Sequence, residues 1–417
     1  MNPIPVKEIR ARQVLDSRGT PTIEVDVKVS GGFGRAAAPS GASRGRWEAQ
    51  YYPEGGVTEA VGVVQNRISP RLVGTDAGQQ ESVDRLLHEI DGTDNFSRVG
   101  GNTAYCVSLA TAIAAAGSRS VPLSFHLSDR ECSELPRPLG NVLGGGAHAK
   151  SGKTDVQEFL LLPMNETSFA RAAGANARIH AEIARLLDAK GKPATGKTDE
   201  GAWVCDLSTE EAFEAVSAAS ETIEEKEGFE IRLGADVAAS TLWDERSEKY
   251  VYRRDQRSLD QGEQLELMRS LIEEFRLIYL EDPFHEEDFE SFAELTKMKP
   301  DTLICGDDLF VTNATRFKKG KELGAANAII IKPNQIGTIT DAKATAELAR
   351  DSGYVTITSH RSGDLPQPEL VDLAIAFRSP IIKAGAVGGQ VVARLNELIR
   401  IEERLGGEAK LAKLGEE

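Results

Sequence analysis

The feature that most constrains the fold is a series of short apolar runs in the second part of the chain, each ending on an ionisable residue. The runs are IRLGAD, LIYLE, TLICGD, AIIIK, VTITSH and PIIK. Their last residues are Asp236, Glu281, Asp307, Lys332, His360 and Lys383, at intervals of 45, 26, 25, 28 and 23 residues. A buried parallel strand with its loop and crossover helix needs about this length. The series therefore predicts parallel strands that alternate with helices.

Repeated strand–helix units of this kind can close into a barrel, in which the carboxyl ends of all strands meet at one face. Three acids, two lysines and a histidine are then expected around one mouth. A single residue of this type could be a solvated group at a strand end. Six in succession are hard to explain that way, so the pattern predicts a functional site.

The three acids of the series predict a cation site. Two carboxylates about 4 Å apart repel by about 4 kcal/mol at an effective dielectric constant near 20, and three such pairs by about 12 kcal/mol. Oxygen ligands suit Mg²⁺, which takes the rest of its shell from water and substrate. A desolvated lysine near such a cation has a lowered pKa and can act as a general base. Proton removal beside a carboxylate also needs the developing charge to be neutralised.

A different pattern occupies the first part of the chain. TIEVDVKV at 22–29 alternates like a half-buried strand, and helical patterns follow at 57–72, 78–90 and 101–117. Because 417 residues exceed one ordinary domain of about 50 to 250, we expect two, at 1–132 and 133–417. The proline-bearing stretch 133–140 is typical of a linker, and the charged tail after Gly406 is expected to fray.

The composition excludes several classes of protein. A formal charge of −16 disfavours nucleic-acid and membrane partners. The four cysteines show no CxxC spacing, which favours a reducing cytoplasm over a disulfide framework or a zinc site. The first residues lack the apolar core of a signal peptide, and no stretch reaches the roughly 18 apolar residues of a membrane span.

Three loop segments carry further candidate residues. Ser40 lies in the loop PSGASRGRWEA. Ser40 could ligate a metal and the loop could close over a substrate, or the loop could be an ordinary mobile turn. His148 follows three glycines, and Gln157 and Glu158 begin the next apolar run; a flexible loop with an incidental histidine is the alternative. The sequence SHRSGD has the character of a phosphate clamp built from an arginine and a serine.

These motifs together resemble the enolase family over about residues 7–405. The similarity rests on VLDSRGTPTIEVDV and PSGAS in the first part, and on QEFLLLP, EDPFHEEDFE, GDDLFVTN, IIIKPNQIGT and SHRSG in the second. The second and third of these barrel motifs look most like archaeal members. The resemblance implies an α/β fold: a (β/α)8-like barrel with atypical opening strands and an N-terminal α+β capping domain. It also implies a cytoplasmic dimer or an octamer of dimers.

The activity that the resemblance implies is the reversible, Mg²⁺-dependent dehydration of 2-phosphoglycerate to phosphoenolpyruvate, a carbon–oxygen lyase reaction of glycolysis and gluconeogenesis. A lysine or histidine base acting with one or two Mg²⁺ ions is a property of the superfamily. The implied ligands of a first Mg²⁺ are Asp236, Glu281 and Asp307, and Ser40 is implied to help hold a second. Lys332 would take the C2 proton.

The remaining implied roles concern the hydroxyl, the carboxylate and the phosphate. Glu200, supported by Glu158, would assist departure of the C3 hydroxyl, and Lys383 would contact the carboxylate and stabilise the enolate. The residues implied to line the substrate are His148, Gln157, His360, Arg361 and Ser362. Of these, His148 also belongs to the implied catalytic residues, and Arg361 and Ser362 are implied to lie at the phosphate.

Several loops depart from the family pattern. Arg44 stands where threonine is usual, Gly144 replaces asparagine, and Trp203 follows an altered DEGA turn. SGDLPQPE and AGAVGGQ, which contains Ala386, also differ. These changes leave open a paralogue acting on a related phosphorylated or phosphonylated acid, similar to carboxyphosphonoenolpyruvate synthase, with Arg44 reading an extra anionic group. A non-enzymatic binding protein is the third alternative.

Overall fold

A three-stranded antiparallel sheet and a set of helices form the first part of the protein. The computed structural model describes residues 2–42, 44–128, 132–150 and 153–414. The sheet has the order β1–β2–β3, and its strands are β1 Val6–Leu15, β2 Pro21–Val29 and β3 Gly32–Ala37. The helices are α1 Gly56–Val63, α2 Ser69–Leu72, α3 Gln80–Asp91, α4 Gly101–Arg119 and α5 Leu123–Ser128, with a π-helical turn Val64–Ile68 between α1 and α2. The predicted strand and all three helical patterns are confirmed.

The alternating residues of β2 explain why the sheet packs as it does. Ile23, Val25 and Val27 are fully buried on one face of the strand. Helix α4 covers the sheet, and it contacts both β2 and β3. A Cβ at Gly34 would lie 1.9 Å from the Ala110 carbonyl oxygen, so only glycine permits this close approach.

Eight strands of the second part close into a barrel. They are β5 Arg137–Gly144, β6 Glu158–Pro163, β9 Ile231–Asp236, β13 Tyr279–Glu281, β14 Leu303–Gly306, β15 Ala328–Ile331, β16 Val355–Ser359 and β17 Ile381–Lys383. β17 pairs with β5 and closes the ring. β6 runs antiparallel to both of its neighbours, whereas the other pairs are parallel. The predicted α/β barrel with atypical opening strands is confirmed.

Helices cover the outside of this barrel. They are α6 Phe169–Ala189, α7 Thr209–Glu227, α8 Gln261–Phe275, α9 Phe289–Met298, α10 Ala314–Leu323, α11 Pro333–Ile336, α12 Ile339–Asp351, α13 Leu370–Ala376 and α14 Gly389–Leu405. Short additional strands are β4 Glu134–Leu135, β7 Gly196–Lys197, β8 Trp203–Val204, β10 Trp243–Asp244, β11 Lys249–Tyr252, β12 Arg257–Leu259 and β18 Lys410–Leu411. α7 begins at a capping box of Ser208 and Glu211, which fixes where the helix starts.

The barrel interior is a packed core. One buried cluster contains Leu139, Leu160, Tyr279, Ile330 and Ile381, from five different barrel strands. Side chains of this kind fill such barrels in layers. Because the interior is filled, polar groups at the strand ends are confined to the mouth.

The strand-end prediction is confirmed in its geometry. Asp236, Glu281 and Lys383 are the last residues of β9, β13 and β17. Asp307, Lys332 and His360 each follow the last residue of their strand directly: β14, β15 and β16. All six therefore lie at the carboxyl-terminal mouth.

Two expectations about chain ends and linkers are wrong. The stretch 133–140 is not a free linker, because most of it forms β4 and the start of β5. The tail does not fray directly after Gly406, because β18 pairs with β4, and Leu411 is 7% exposed. Arg137 Nε also donates to the Ala412 carbonyl at 2.7 Å, which ties the tail to the first barrel strand.

Within residues 2–42, 44–128, 132–150 and 153–414, the structure contains no helix that combines the length and the apolar character needed to cross a bilayer.

Candidate active site

The predicted strand-end residues meet in one cleft at the carboxyl-terminal mouth of the barrel. Eleven of the thirteen residues assigned to the site from sequence line it: His148, Gln157, Glu158, Glu200, Asp236, Asp307, Lys332, His360, Arg361, Ser362 and Lys383. Of the other two, Glu281 is fully buried and reaches the cleft through Lys383, and Ser40 lies in the segment that covers it.

Lys383 is the centre of the acidic side of this cleft. Its Nζ lies 2.7 Å from Glu281 Oε2, 3.2 Å from Asp236 Oδ2 and 3.1 Å from Glu158 Oε2. Burial opposes its charge, but these carboxylates outweigh burial and raise the pKa of Lys383 well above its ordinary value. Lys383 is therefore a fixed positive charge at the floor of the site.

Lys332 forms an ion pair with Asp307 on the neighbouring strand end. Gln335 Nε2 also donates to Asp307 Oδ1 at 2.9 Å. Burial favours the neutral amine, but the Asp307 charge is stronger, so the pKa of Lys332 is raised. The lowered pKa expected from the sequence concerns a lysine beside a bound cation, and it stays a prediction.

Two glutamates with opposite protonation behaviour occupy the other side. Burial and the Glu200 charge raise the pKa of Glu158 well above its ordinary value. Burial also disfavours charge on Glu200, but His360, followed by His148, outweighs burial, and the pKa of Glu200 is well below its ordinary value. Glu158 therefore binds a proton more readily than Glu200 does. Such a pair, with pKa values pushed apart, suits acid–base chemistry.

The histidines position this pair. His360 Nε2 lies 3.2 Å from Glu200 Oε1. His148 Nδ1 lies 3.5 Å from Glu158 Oε1 and 3.8 Å from Glu200 Oε1. Burial lowers the pKa of His148.

Asn141 is a site residue that the sequence analysis missed. It lies in β5, is 1% exposed, and its Nδ2 donates to Glu200 Oε2 at 3.0 Å. A buried asparagine inside an apolar strand, in GNVLGGG, was the available signal. Such a residue needs hydrogen-bond partners, and here the partner is the ionised carboxylate.

Arg361 connects the barrel mouth to the N-terminal part of the chain. Its guanidinium makes two hydrogen bonds to Glu48 at 2.9 and 3.0 Å, and Nη2 donates to the Tyr51 hydroxyl at 2.7 Å. Burial opposes the charge, but Glu48 outweighs it and raises the pKa of Arg361. Glu48 and Tyr51 were also missed, since nothing local in WEAQYYP connects them with an arginine that lies 313 residues beyond Glu48.

The Ser40 segment lies directly against the SHRSG loop. Ser40 and Gly363 exchange backbone hydrogen bonds at 2.6 and 2.7 Å. The Ser40 hydroxyl donates to Asp16 Oδ2 at 2.7 Å, and Ser362 Oγ accepts from the Ala42 amide at 2.7 Å. Ser43 of this segment lies outside the described residues. The N-terminal part therefore covers the cleft.

Comparison with known proteins agrees with this arrangement. Family models described as the enolase N-terminal domain and the enolase C-terminal TIM barrel domain match residues 6–127 and 132–416. The chain belongs to the enolase family. As a family member it is an enzyme of the carbon–oxygen lyase class, that of phosphopyruvate hydratase.

Archaeal enolases are similar to the chain over nearly its whole length. The enolase of Methanothermobacter thermautotrophicus is 48% identical over 402 residues, which cover 96% of this chain and 97% of the relative. That of Halorubrum lacusprofundi is 49% identical over 398 residues, which cover 95% and 98%. That of Archaeoglobus fulgidus is 45% identical over 398 residues, which cover 95% and 97%.

The acidic side of the enolase cleft fits a hard divalent cation. Burial and the Asp236 charge raise the pKa of Glu281 to about 7, even with Lys383 beside it. Among the described residues, Glu281 Oε1 and Gln157 Oε1 are buried without a hydrogen-bond partner. Carboxylate and amide oxygens that lack a donor are the ligands Mg²⁺ takes. The residues present therefore fit the predicted ion.

A second acidic group lies behind Asp307. Asp282, Asp307 and Asp308 place ligand atoms within 4.8 Å of one another. Asp282 Oδ1 accepts from the Asp307 amide at 3.0 Å, and its Oδ2 accepts from the Asp308 amide at 2.8 Å. These bonds hold the end of β14 in place. Asp282 thus supports Asp307, a role that EDP in the sequence did not reveal.

Three residues of the altered loops, Arg44, Trp203 and Ala386, do not line the cleft. Arg44 stacks on the Tyr51 ring, 4.2 Å from its centroid, and its Nη2 donates to the Ala49 carbonyl at 3.1 Å. Trp203 stacks on His180, with ring centroids 4.6 Å apart. Ala386 is 2% exposed. These three departures from the family pattern therefore affect the surroundings of the cleft and not its lining.

Proposed function

We propose that the protein catalyses the reversible dehydration of 2-phosphoglycerate to phosphoenolpyruvate, the glycolytic and gluconeogenic reaction. The observation that carries the proposal is one cleft with Lys332 on one strand end and the Glu158–Glu200 pair on the opposite side. A β-elimination needs a base at one carbon and an acid at the leaving group of the next. The cleft contains both.

The first step is removal of the C2 proton. The C2–H bond breaks, and the proton passes to Lys332 Nζ. The two electrons of this bond move into the carboxylate and form the enolate. Lys332 must be neutral to act in this way. A cation held by Asp307 would compensate the charge of that carboxylate, and the burial of Lys332 would then favour the neutral amine.

The second step is loss of the C3 hydroxyl. The C3–O bond breaks, the enolate electron pair forms the new C2–C3 double bond, and the oxygen leaves as water. We assign the proton for this water to the Glu158–Glu200 pair, in which the pKa of Glu158 is raised and that of Glu200 is lowered. His148 and His360 lie against these carboxylates.

Charge stabilisation comes from the floor and the rim of the cleft. Lys383 places a positive charge where the substrate carboxylate would lie, and Arg361 and Ser362 offer donors to a phosphate. We assign Asp236, Glu281 and Asp307 to the first of two Mg²⁺ ions, and Ser40 to the second. Bound Mg²⁺ would supply positive charge against the carboxylate and the enolate.

The altered loops offer no support to a paralogue that acts on a more highly charged acid. That idea needed Arg44 to read an extra anionic group, and Arg44 is engaged with Tyr51, Ala49 and Gln50. Substrate chemistry similar to that of other family members is therefore the simpler conclusion. An Arg44→Thr variant with unchanged 2-phosphoglycerate turnover would agree with it.

Ultraviolet absorbance of the enol product tests the function. Purified protein is supplied with 2-phosphoglycerate and Mg²⁺, and a chelator-treated sample serves as the control. We expect product only with Mg²⁺; no product across pH and metal conditions would overturn the proposal.

Three further properties remain predictions: assembly as a dimer or an octamer of dimers, a cytoplasmic location, and a domain boundary at 132/133. Light scattering on the purified protein measures the assembly.

A further inference from the structure

The loop that carries Glu200 is supported from behind by residues with no assigned role. The loop connects β7 with β8 and is a tight turn, in which the Thr198 amide donates to the Ala202 carbonyl at 2.8 Å. The Gly201 amide also donates to the Thr198 carbonyl at 3.0 Å. Gly201 has φ +86°, and a Cβ there would lie 2.1 Å from the Val387 carbonyl oxygen. The turn thus packs directly against the segment that follows β17.

His180 holds this turn by its backbone. It lies in α6, is 4% exposed, and its Nε2 lies 3.0 Å from the Gly201 carbonyl oxygen. A carbonyl oxygen can only accept, so Nε2 carries the hydrogen. Burial lowers the pKa of His180 to about 4, so the ring is neutral at neutral pH. The donor is therefore present without a charge beside Glu200.

Trp203 in turn fixes His180. Its ring stacks on the imidazole with centroids 4.6 Å apart and an interplanar angle of 19°. Its indole Nε1 donates to the His180 carbonyl at 2.7 Å. Lys197 Nζ lies 4.6 Å from the centroid of the same indole, on its face. Both the face and the edge of the tryptophan are engaged with groups around the turn.

A third support comes from α14. Gln390 Nε2 donates to the Asp199 carbonyl at 2.7 Å, so the residue before Glu200 is also held by its backbone. Gln390 and Trp203 both belong to segments that depart from the family pattern. The two departures thus meet at one loop, on the side away from the cleft.

We propose that His180 and Trp203 are positioning residues for Glu200: a stacked pair that fixes the Gly201 carbonyl and thereby sets the direction of the Glu200 carboxylate. On the cleft side, Asn141 and His360 contact the same carboxylate. Glu200 is therefore supported through the backbone of its turn on one side and at its carboxylate on the other. A displacement of about 1 Å at a catalytic group can cost about 100-fold in rate.

The inference rests on the proposed function and makes a separable prediction. Lys332 acts at C2 and Glu200 at the C3 hydroxyl, so a misplaced Glu200 should slow loss of water and leave proton removal intact. C2 exchange is visible as deuterium incorporation into 2-phosphoglycerate in D₂O. Dehydration is visible as phosphoenolpyruvate. The ratio of the two rates reports the positioning of Glu200. A general loss of structure would lower both rates and leave this ratio unchanged.

The experiment compares four variants of the full-length protein with the unaltered chain. His180→Leu removes the donor to Gly201, and His180→Gln restores an uncharged amide donor. Trp203→Phe keeps an aromatic ring and removes the indole N–H. The matched control is Trp243→Phe, since Trp243 also stacks on a histidine, His285, with centroids 4.4 Å apart, but on the β10–β12 hairpin.

We expect dehydration by His180→Leu and Trp203→Phe to fall about 10- to 100-fold with C2 exchange unchanged. His180→Gln should recover most of the loss, and Trp243→Phe should keep the native ratio. Equal loss of both rates, or no loss in either variant, would overturn the positioning role. Trp203 is partly exposed, so Trp203→Phe carries the test if His180→Leu does not fold. If the unaltered chain forms no phosphoenolpyruvate, the proposed function itself fails.

Discussion

Arg361 of the barrel and Glu48 of the N-terminal segment form a bidentate ion pair, with N–O distances of 2.9 and 3.0 Å. Both residues are buried, at 4% and 5% exposure. A bidentate pair fixes the plane of the guanidinium as well as its position. The arginine expected at the phosphate is therefore held in place by the part of the chain that covers the cleft.

Arg361→Lys should weaken phosphate binding more than it slows chemistry. Lysine keeps the charge but loses the planar fork, and a hydrogen bond to a charged group is worth about 1.5 to 3 kcal/mol. We expect KM for 2-phosphoglycerate to rise about 10- to 100-fold, with a smaller change in kcat. Steady-state kinetics measures both. The exposed Arg85→Lys is the control, and an unchanged KM for Arg361→Lys would contradict the assignment.

Lys332→Ala should abolish both partial reactions. Without the amine no group accepts the C2 proton, so C2 exchange and dehydration should fall together by about 100- to 10,000-fold, the usual contribution of a general base. This differs from the Glu200 support variants, which should lose only dehydration. The exposed Lys297→Ala controls for loss of a lysine. Retention of C2 exchange by Lys332→Ala would remove Lys332 from the base role.

Asp307→Asn should weaken Mg²⁺ binding and leave the fold intact. Asp307 lies just beyond β14 at the mouth and not in the packed barrel core. The amide keeps an oxygen for Gln335 but loses the charge that attracts the cation. Calorimetric titration with Mg²⁺ measures the affinity, and circular dichroism the fold. Asp244→Asn, on the exposed hairpin, serves as the reference; unfolding caused by Asp307→Asn would show a structural role instead.

Arg394→Leu should destabilise the protein strongly. Arg394 in α14 is 1% exposed and forms an ion pair with the buried Asp364. Its loss leaves an unpaired buried carboxylate, which costs about 3 to 5 kcal/mol. The melting temperature, followed by calorimetry, should drop clearly. Adding Asp364→Asn should recover part of the loss because the unpaired charge is then gone; no recovery would mean that packing, and not charge, dominates.

Glu369 should make stability depend on pH. Burial raises its pKa from 4.5 to about 7, so the folded state binds the proton more tightly than the unfolded state. Its contribution is therefore present at low pH, is lost as the pH rises from about 4.5 to about 7, and is constant above that. The Glu369→Gln variant lacks this titrating carboxyl group, so it does not lose stability in this pH range for that reason. Its melting temperature relative to the unaltered chain should rise through this window, whereas the exposed Glu294→Gln should show no trend.

Much of the barrel could be predicted from local patterns. Strand β9 has the predicted ends, Ile231 and Asp236, and all six strand-end groups lie at the mouth. The pattern is local, because an apolar run sets the strand and the next polar residue marks its end. The linker at 133–140 and the fraying tail were wrong because pairing between β4 and β18 joins segments far apart in the chain.

The sequence by itself determined the order of the strands, the ionisable group at each strand end and the family. These properties depend on residue type and spacing along a short stretch. Only the tertiary structure decided that Asn141, Glu48 and Tyr51 join the site, and that His180 and Trp203 support Glu200. It also decided that the pKa of Glu158 is raised while that of Glu200 is lowered. The physical reason is that burial and electrostatic interaction depend on which distant segments the fold brings within a few ångströms of each other.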